Sequence, residues 1–267
     1  MQRSSLAALA LALLLVTAGC NGLALGDGGD GGDGSDGGDG ATGSALPGVE
    51  DGEVTNTTAL LAAHQQGLVD AGFENRVRVN ATVVQQDRVT DVQRSQQTVV
   101  EAGGGEYQYR TVNGGGSGFV RFDHWGNRSV WVTRGQVGNT TRYQVRDQAA
   151  PMRSLSGAAL LGTYLNGSAA TAAETREEDG RTLTVFETTT PPADANALPV
   201  NRSQVEAYEA RFVVDSQGRI HTFVAEGSYE LRGEVRTFRI GYETQRLDAP
   251  SVSQPDWTGE ALRNRNG

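Results

Sequence analysis

The stretch "RVRVNATVV", residues 76–84, alternates without a break. Val77, Val79, Ala81 and Val83 fall on one side of an extended chain; Arg76, Arg78, Asn80 and Thr82 fall on the other. Successive side chains of a strand point to opposite faces, so this period predicts a half-buried β-strand and excludes an amphipathic helix.

Upstream the period is different. In "NTTALLAAHQQGLVDAG", residues 56–72, Leu60, Leu61, His64 and Leu68 recur at helical spacing. Thr57 or Thr58 can cap that helix and Gly72 can end it. His64 lies on the apolar stripe, where a core-edge histidine is a simpler reading than a ligand group.

Downstream come short strand-like runs separated by turn residues: "RVTDVQRSQQTVVE", "GEYQYRTV", "GFVRFDHW", "RSVWVTR" and "TRYQVRD". A second helix, "SLSGAALLGTYL", has Ser154 as a candidate cap. Five more runs follow: "TAAETREED", "RTLTVFETTT", "EAYEARFVVD", "RIHTFVAEGSYE" and "GEVRTFRIGYETQRL". Short strands joined by such turns argue an antiparallel meander. The expected fold is α+β and mostly antiparallel β. It is a strongly curled sheet, a half-barrel, of about eleven strands, with the N-terminal helix and the mid-chain helix on its concave side. Some strands carry apolar residues on both faces: Phe119 against Val120 and Phe122, Trp131 against Val130 and Val132, Phe223 against Ile220 and Val224. Such a sheet is either buried on both sides or lines a cavity with one of them.

The other end of the chain speaks to location. The single cysteine, Cys20, follows Thr17, Ala18 and Gly19 and an uncharged apolar block, residues 6–16, with Arg3 before it. That is the anatomy of a secretory signal peptide, and the block is too short for an ordinary transmembrane helix. The small residues abutting Cys20 look like a lipobox, whose cysteine receives a lipid after cleavage just before it; Thr17 departs from the usual leucine. One thiol cannot form an internal disulfide. Next comes "GDGGDGGDGSDGGDG", with aspartates at 27, 30, 33, 36 and 39. It lacks the apolar residue that a calcium-binding β-helix repeat needs in each unit, and reads as a disordered, solvated tether. The expected organisation is a signal peptide at 1–19, lipidated Cys20 and the tether at 20–50, one sheet domain at 51–250, and a tail with a short helix at 251–267.

The net charge is −9, with five of the 32 acidic residues in the tether, so nucleic acid is not an expected partner. All 23 basic residues are arginine. That composition resembles proteins of salt-loving archaea, where molar salt screens exposed ion pairs within about 3 Å. Six asparagines open an Asn-X-Ser/Thr triplet: Asn56, Asn80, Asn127, Asn139, Asn166 and Asn201. Chance would give about two, and the excess marks them as glycosylation candidates that should face solvent.

The helix running straight into a strand, "LLAAHQQGLVDAGFENRVRVNATV", together with the lipobox, resembles uncharacterised haloarchaeal lipoproteins. More distantly, the architecture resembles the LolA and LprG/LppX lipoprotein-carrier superfamily over about residues 55–250. That resemblance implies a surface-anchored protein, outside the cytoplasm, holding an apolar ligand such as a lipid. It carries over no site residue.

Chemistry is sparse. There is no Gly-X-Ser-X-Gly elbow. "GGGSG" at 114–118 lacks the lysine and the following helix of a phosphate loop. His64, His124 and His221 have no metal-ligand spacing, and Glu177, Glu178 and Asp179 sit in a turn. No catalytic residue, metal or cofactor is expected, and the chain does not read as an enzyme. Two readings stay open: a lipoprotein that binds a lipid or other apolar ligand, and a structural or interaction lipoprotein with no cavity that meets cell-envelope proteins. In both, the membrane is reached through the lipid on Cys20.

Overall fold

The structure, a computed structural model, describes residues 46–85, 87–115, 118–194, 196–248 and 251–263. The stretch expected to be a signal peptide, Cys20 and the Gly/Asp run lie outside the described residues.

Two short strands, β1 (Val49–Glu50) and β2 (Glu53–Val54), precede helix α1 (Thr57–Ala71). Six strands follow: β3 (Phe73–Gln85), β4 (Arg88–Val100), β5 (Glu106–Gly115), β6 (Gly118–Asn127), β7 (Trp131–Val137) and β8 (Thr140–Arg146). Helices α2 (Met152–Leu155) and α3 (Ala158–Leu165) separate these from β9 (Thr171–Glu178), β10 (Arg181–Thr188), β11 (Val205–Asp215), β12 (Ile220–Leu231) and β13 (Glu234–Leu247). Helix α4 (Asp256–Arg263) ends the described chain.

All strands join one antiparallel sheet in the order β1-β2-β9-β10-β11-β12-β13-β3-β4-β5-β6-β7-β8. Each of the eleven expected runs is a strand. The count is thirteen, because β1 and β2 extend the sheet past β9. The sheet is open, with β1 and β8 as unjoined edges. This corrects the strongly curled, eleven-stranded half-barrel: hairpin turns fix which neighbours pair, but nothing in a strand's own period sets how far the whole sheet curls.

One face carries α1, α2 and α3. Leu60 and Leu61 of α1 and Leu161 and Leu165 of α3 pack with Phe186, Phe212, Phe223, Ile240 and Tyr242. Each such side chain stabilises the fold by about 1.5–3 kcal/mol on burial. The connection after β10 closes the side of this core with Ala197 and Leu198, and Tyr164 donates to the Ala197 carbonyl at 2.7 Å. His64 is fully buried. Its Nδ1 accepts from the Ile220 N–H at 3.0 Å, and its Nε2 donates to the Ser156 carbonyl at 3.2 Å. It is a satisfied core histidine that ties α1 to β12 and to the α2–α3 junction.

Three local expectations change. Asn56, one residue before the threonines, caps α1: its Oδ1 accepts from the Ala59 N–H at 3.0 Å. The mid-chain helix is two short helices, because Gly157 between them has φ +83°, which a continuous helix cannot contain, and Ser154 lies inside α2. Finally, α4 spans eight residues and packs on the opposite face, where Ala261 and Val252 bury Trp125 and Val132.

Asn56 yields a small, clean prediction. Asn56→Ala is expected to cost about 1 kcal/mol by removing the cap, whereas Asn56→Asp keeps the acceptor oxygen and costs much less. Urea midpoints of the two variants check this.

Candidate functional site

Strand register lays the α1 face out in rows. One row runs Phe73, Val100, Tyr107, Gly126, Trp131, Arg146, from β3 to β8. The next is Asn75, Thr98, Tyr109, His124, Thr133, Gln144. The third is Val77, Gln96, Thr111, Phe122, Gly135, Arg142. The fourth begins Val79, Arg94, Asn113, Val120. Adjacent strands lie about 4.8 Å apart, so neighbours within a row touch.

The two ends of this face differ. From β10 to β3 the space beneath α1 and α3 is filled by the side chains named above. Beneath α2, a smaller cluster joins Leu68, Phe73, Val100, Tyr107, Trp131 and Leu155. Beyond it, Val83, Val92, Val120 and Phe122 join none of the apolar clusters formed among the described residues. This leaves an apolar strip across β3 to β6 outside those clusters; within it Phe122 is buried and its ring lies 6.3 Å from that of His124.

An aromatic group borders the strip. The Tyr109 and His124 rings stack with centroids 3.8 Å apart, and Trp131 lies 6.0 Å from His124. The Trp131 indole N–H donates to His124 Nδ1 at 3.3 Å, and Thr133 Oγ1 sits 2.9 Å from the same nitrogen. An indole only donates, so Nδ1 is an acceptor and the neutral ring carries its proton on Nε2. Burial holds the His124 pKa down at about 3; Asp123 opposes this, and Arg146 and Arg94 add to it. Burial also pushes the Tyr109 phenol up. Neither group titrates near neutral pH, so the cluster presents neutral aromatic surface rather than an acid–base pair. The Arg146 guanidinium sits 4.6 Å from the Trp131 ring centroid, a cation–π contact.

On the opposite face, Asp123 accepts from Arg110 at 2.9 Å, Arg121 at 2.9 Å and Arg134 at 2.8 Å. Burial works against the charged carboxyl, but the three guanidiniums prevail and hold its pKa at about 2. Arg134 also lies 5.0 Å from the Trp257 ring of α4. A cleft of about 290 Å³ runs between this cluster and Pro255 and Trp257. A larger one, about 670 Å³, lies by β9 to β13 and is lined by threonines and by Glu187, Glu209, Arg211, Glu226 and Arg239. The larger is mainly polar; the smaller is lined about equally by polar and apolar groups.

The other sequence candidates scatter. Asn56, Asn80, Asn139, Asn166 and Asn201 are exposed; Asn127 is half-buried, and its Oδ1 accepts from Ser129 and Val130. His221 pairs with Asp215 at 2.9 Å, far in sequence from His124. Glu177 and Glu178 lie at the end of β9, and Asp179 and Gly180 form the turn to β10 with positive φ. Part of the "GGGSG" run, residues 116–117, is outside the described residues. Among the described residues, no group of three or more His, Cys, Asp or Glu side chains could hold a metal ion. No helix among them is long and apolar enough to cross a membrane.

A family model matches residues 5–261, nearly the whole length. The chain belongs to a family of unknown function, DUF7537. No functionally curated protein matches it. Among solved structures it is similar to LprF from Mycobacterium bovis, with 11% identity, 74% of this chain and 96% of that one covered, and a TM-score of 0.38. It is also similar to the lipoprotein LppX from Mycobacterium tuberculosis, with 16% identity, 73% and 98% coverage and a TM-score of 0.33. A LolA superfamily protein from Nitrosomonas europaea follows with 10% identity, 75% and 98% coverage and a TM-score of 0.26.

The sequence reading did not single out Tyr109, His124 and Trp131 as a group. Alternation places Tyr107 and Tyr109 on one face, but only the β5–β6 and β6–β7 registers bring His124 beside Tyr109 and Trp131 near both.

Proposed function

We propose that this chain is a non-catalytic envelope lipoprotein, cut before Cys20, anchored to the outer face of the cell membrane by a lipid on that thiol, and binding an apolar ligand on the β4–β8 part of the α1 face. The observation that carries the ligand reading is the strip of Val83, Val92, Val120 and Phe122, which packs in none of the clusters, beside the stacked rings of Tyr109 and His124. Apolar surface of this kind, bordered by polar groups, marks a binding site more often than a structural surplus. The anchoring reading rests on the apolar leader and the small residues before the single cysteine. The five exposed sequons suit a domain outside the cytoplasm, and the all-arginine basic set suits an archaeal, high-salt surface.

The side-chain-filled space beneath α1 and α3 favours a second reading, an interaction lipoprotein without a ligand. One experiment separates them. Native mass spectrometry and solvent extraction of the protein purified from its own membranes are expected to return a bound lipid in the first case and none in the second. For the anchor, Cys20→Ser is expected to move the protein from the membrane to the medium. Undiminished membrane association of that variant, with the leader still removed, would overturn it.

A further inference from the structure

We infer that the ligand of this face is an amphiphile carrying an anionic head, held where Arg94 and Arg146 flank the Tyr109–His124 stack. The inference rests on the apolar-ligand reading above and adds the charge of the head. Strand positions that face α1's side between β4 and β8 carry four formal charges, Arg88, Arg94, Arg142 and Arg146, and no Asp or Glu. That is unusual in a chain with 32 acidic and 23 basic residues.

The acidic side chains of the same strands fall on the other face. Asp123 points there with Arg110, Arg121 and Arg134 gathered on it, and Asp91 accepts there from Thr82 at 2.7 Å. Alternation therefore sorts the charges: the Asp91 and Asp123 carboxylates are engaged on one face, while the other face keeps guanidiniums without carboxylates. Arg94 is an exposed side chain, yet desolvation by its surroundings lowers its pKa. Its field and that of Arg146 both reach the Tyr109 and His124 rings. His124 stays neutral and adds no competing charge.

An anion here lies between two guanidiniums, beside the buried His124 and Trp131 rings, where a charge interaction is screened less than at an open surface. The attached chain would lie diagonally across the rows, from Phe122 and Val120 toward Val92 and Val83. A neutral head gains only the chain's burial, and a cationic head is repelled. The overall negative charge of the protein disfavours anions elsewhere on its surface.

The test uses the full-length protein and nitroxide-labelled octadecanoic acid, its methyl ester and a quaternary-ammonium analogue of the same chain, at about 0.1 M salt and neutral pH. The readout is quenching of tryptophan fluorescence. Trp125 and Trp257 belong to the α4 face, so the signal assigned to this site is the part lost in Trp131→Phe. The acid is expected to bind at least tenfold more tightly than the ester, and the ammonium analogue more weakly than either. Arg94→Gln with Arg146→Gln is expected to erase the preference of the acid over the ester. Arg94→Gln alone, at an exposed position, is expected to remove part of it without harm to folding. Equal binding of all three heads overturns the anionic inference and leaves the apolar-ligand reading standing. Absence of any Trp131-dependent quenching by all three overturns that reading itself.

Discussion

Acidification from pH 7 to pH 4 is expected to remove about 6 kcal/mol of folding stability through two buried histidines. His64 is held down at about 4 and His124 at about 3, each first by burial. In the unfolded chain both return to about 6.5. A folded pKa below the unfolded one means that the unfolded state takes up protons first. The contribution is therefore complete above pH 6.5 and is lost as the pH falls toward the folded values, at about 3 kcal/mol for each histidine by pH 4. Asp123 and Asp215, both held at about 2, act lower down. Their stabilisation is present above about pH 4 and disappears as the pH drops toward 2. Urea midpoints at pH 7, 5.5 and 4 check the sum. His124→Phe, which keeps a stacking ring without a titratable nitrogen, is expected to halve the fall over this window. Midpoints that stay level from pH 7 to 4 would mean that neither ring is buried in neutral form.

Gly157→Ala is expected to destabilise the protein by about 3 kcal/mol. The residue has φ +83°, which costs an L side chain about 1–2 kcal/mol. A Cβ there would also stand 2.4 Å from Cε2 and 2.7 Å from Cδ2 of Tyr242. Tyr242 cannot swing aside: its ring is buried, its hydroxyl lies 3.0 Å from Thr244 Oγ1, and His64 packs edge-on at 5.6 Å. Overpacking of this kind adds about 1–3 kcal/mol. Gly180→Ala separates the two causes. Gly180 has φ +72° in the β9–β10 turn, and a Cβ there meets nothing within 4 Å. It is expected to lose only the backbone part, about 1 kcal/mol. Thermal midpoints should rank wild type, Gly180→Ala, then Gly157→Ala; equal losses would show that the Tyr242 contact yields freely.

The sequence carried the long strands well, because period two and glycine-bearing turns are local signals. Asp179 and Gly180 both take positive φ in the hairpin that "EEDGR" predicts. The α1 stripe of Leu60, Leu61, His64 and Leu68 is buried as its spacing predicts. What failed was non-local or finely balanced. Asn56 outcompeted Thr57 and Thr58 as the cap because its amide oxygen reaches the Ala59 N–H. The break at Gly157 is set by the approach of Tyr242, 85 positions later in the chain, which no window of residues around Gly157 contains. The role of α4 was equally hidden. Its apolar side is legible, but that it covers Trp125 and Val132 depends on which sheet face the final connection crosses to. The aromatic cluster was partly legible: the residue types stand in the sequence, and only the register joins Tyr109, His124 and Trp131.

The pairing of β13 with β3 runs through the middle of the sheet, from Leu247 opposite Phe73 to Arg239 opposite Asn80. The first long strand thus waits for the last. Loop closure over such a separation is entropically costly and slow, and until it happens two half-sheets stand with open central edges. A chain made from its N-terminus cannot weld its centre until residue 247 has left the ribosome. Such a topology leaves the two half-sheets separable until β13 is available to join them.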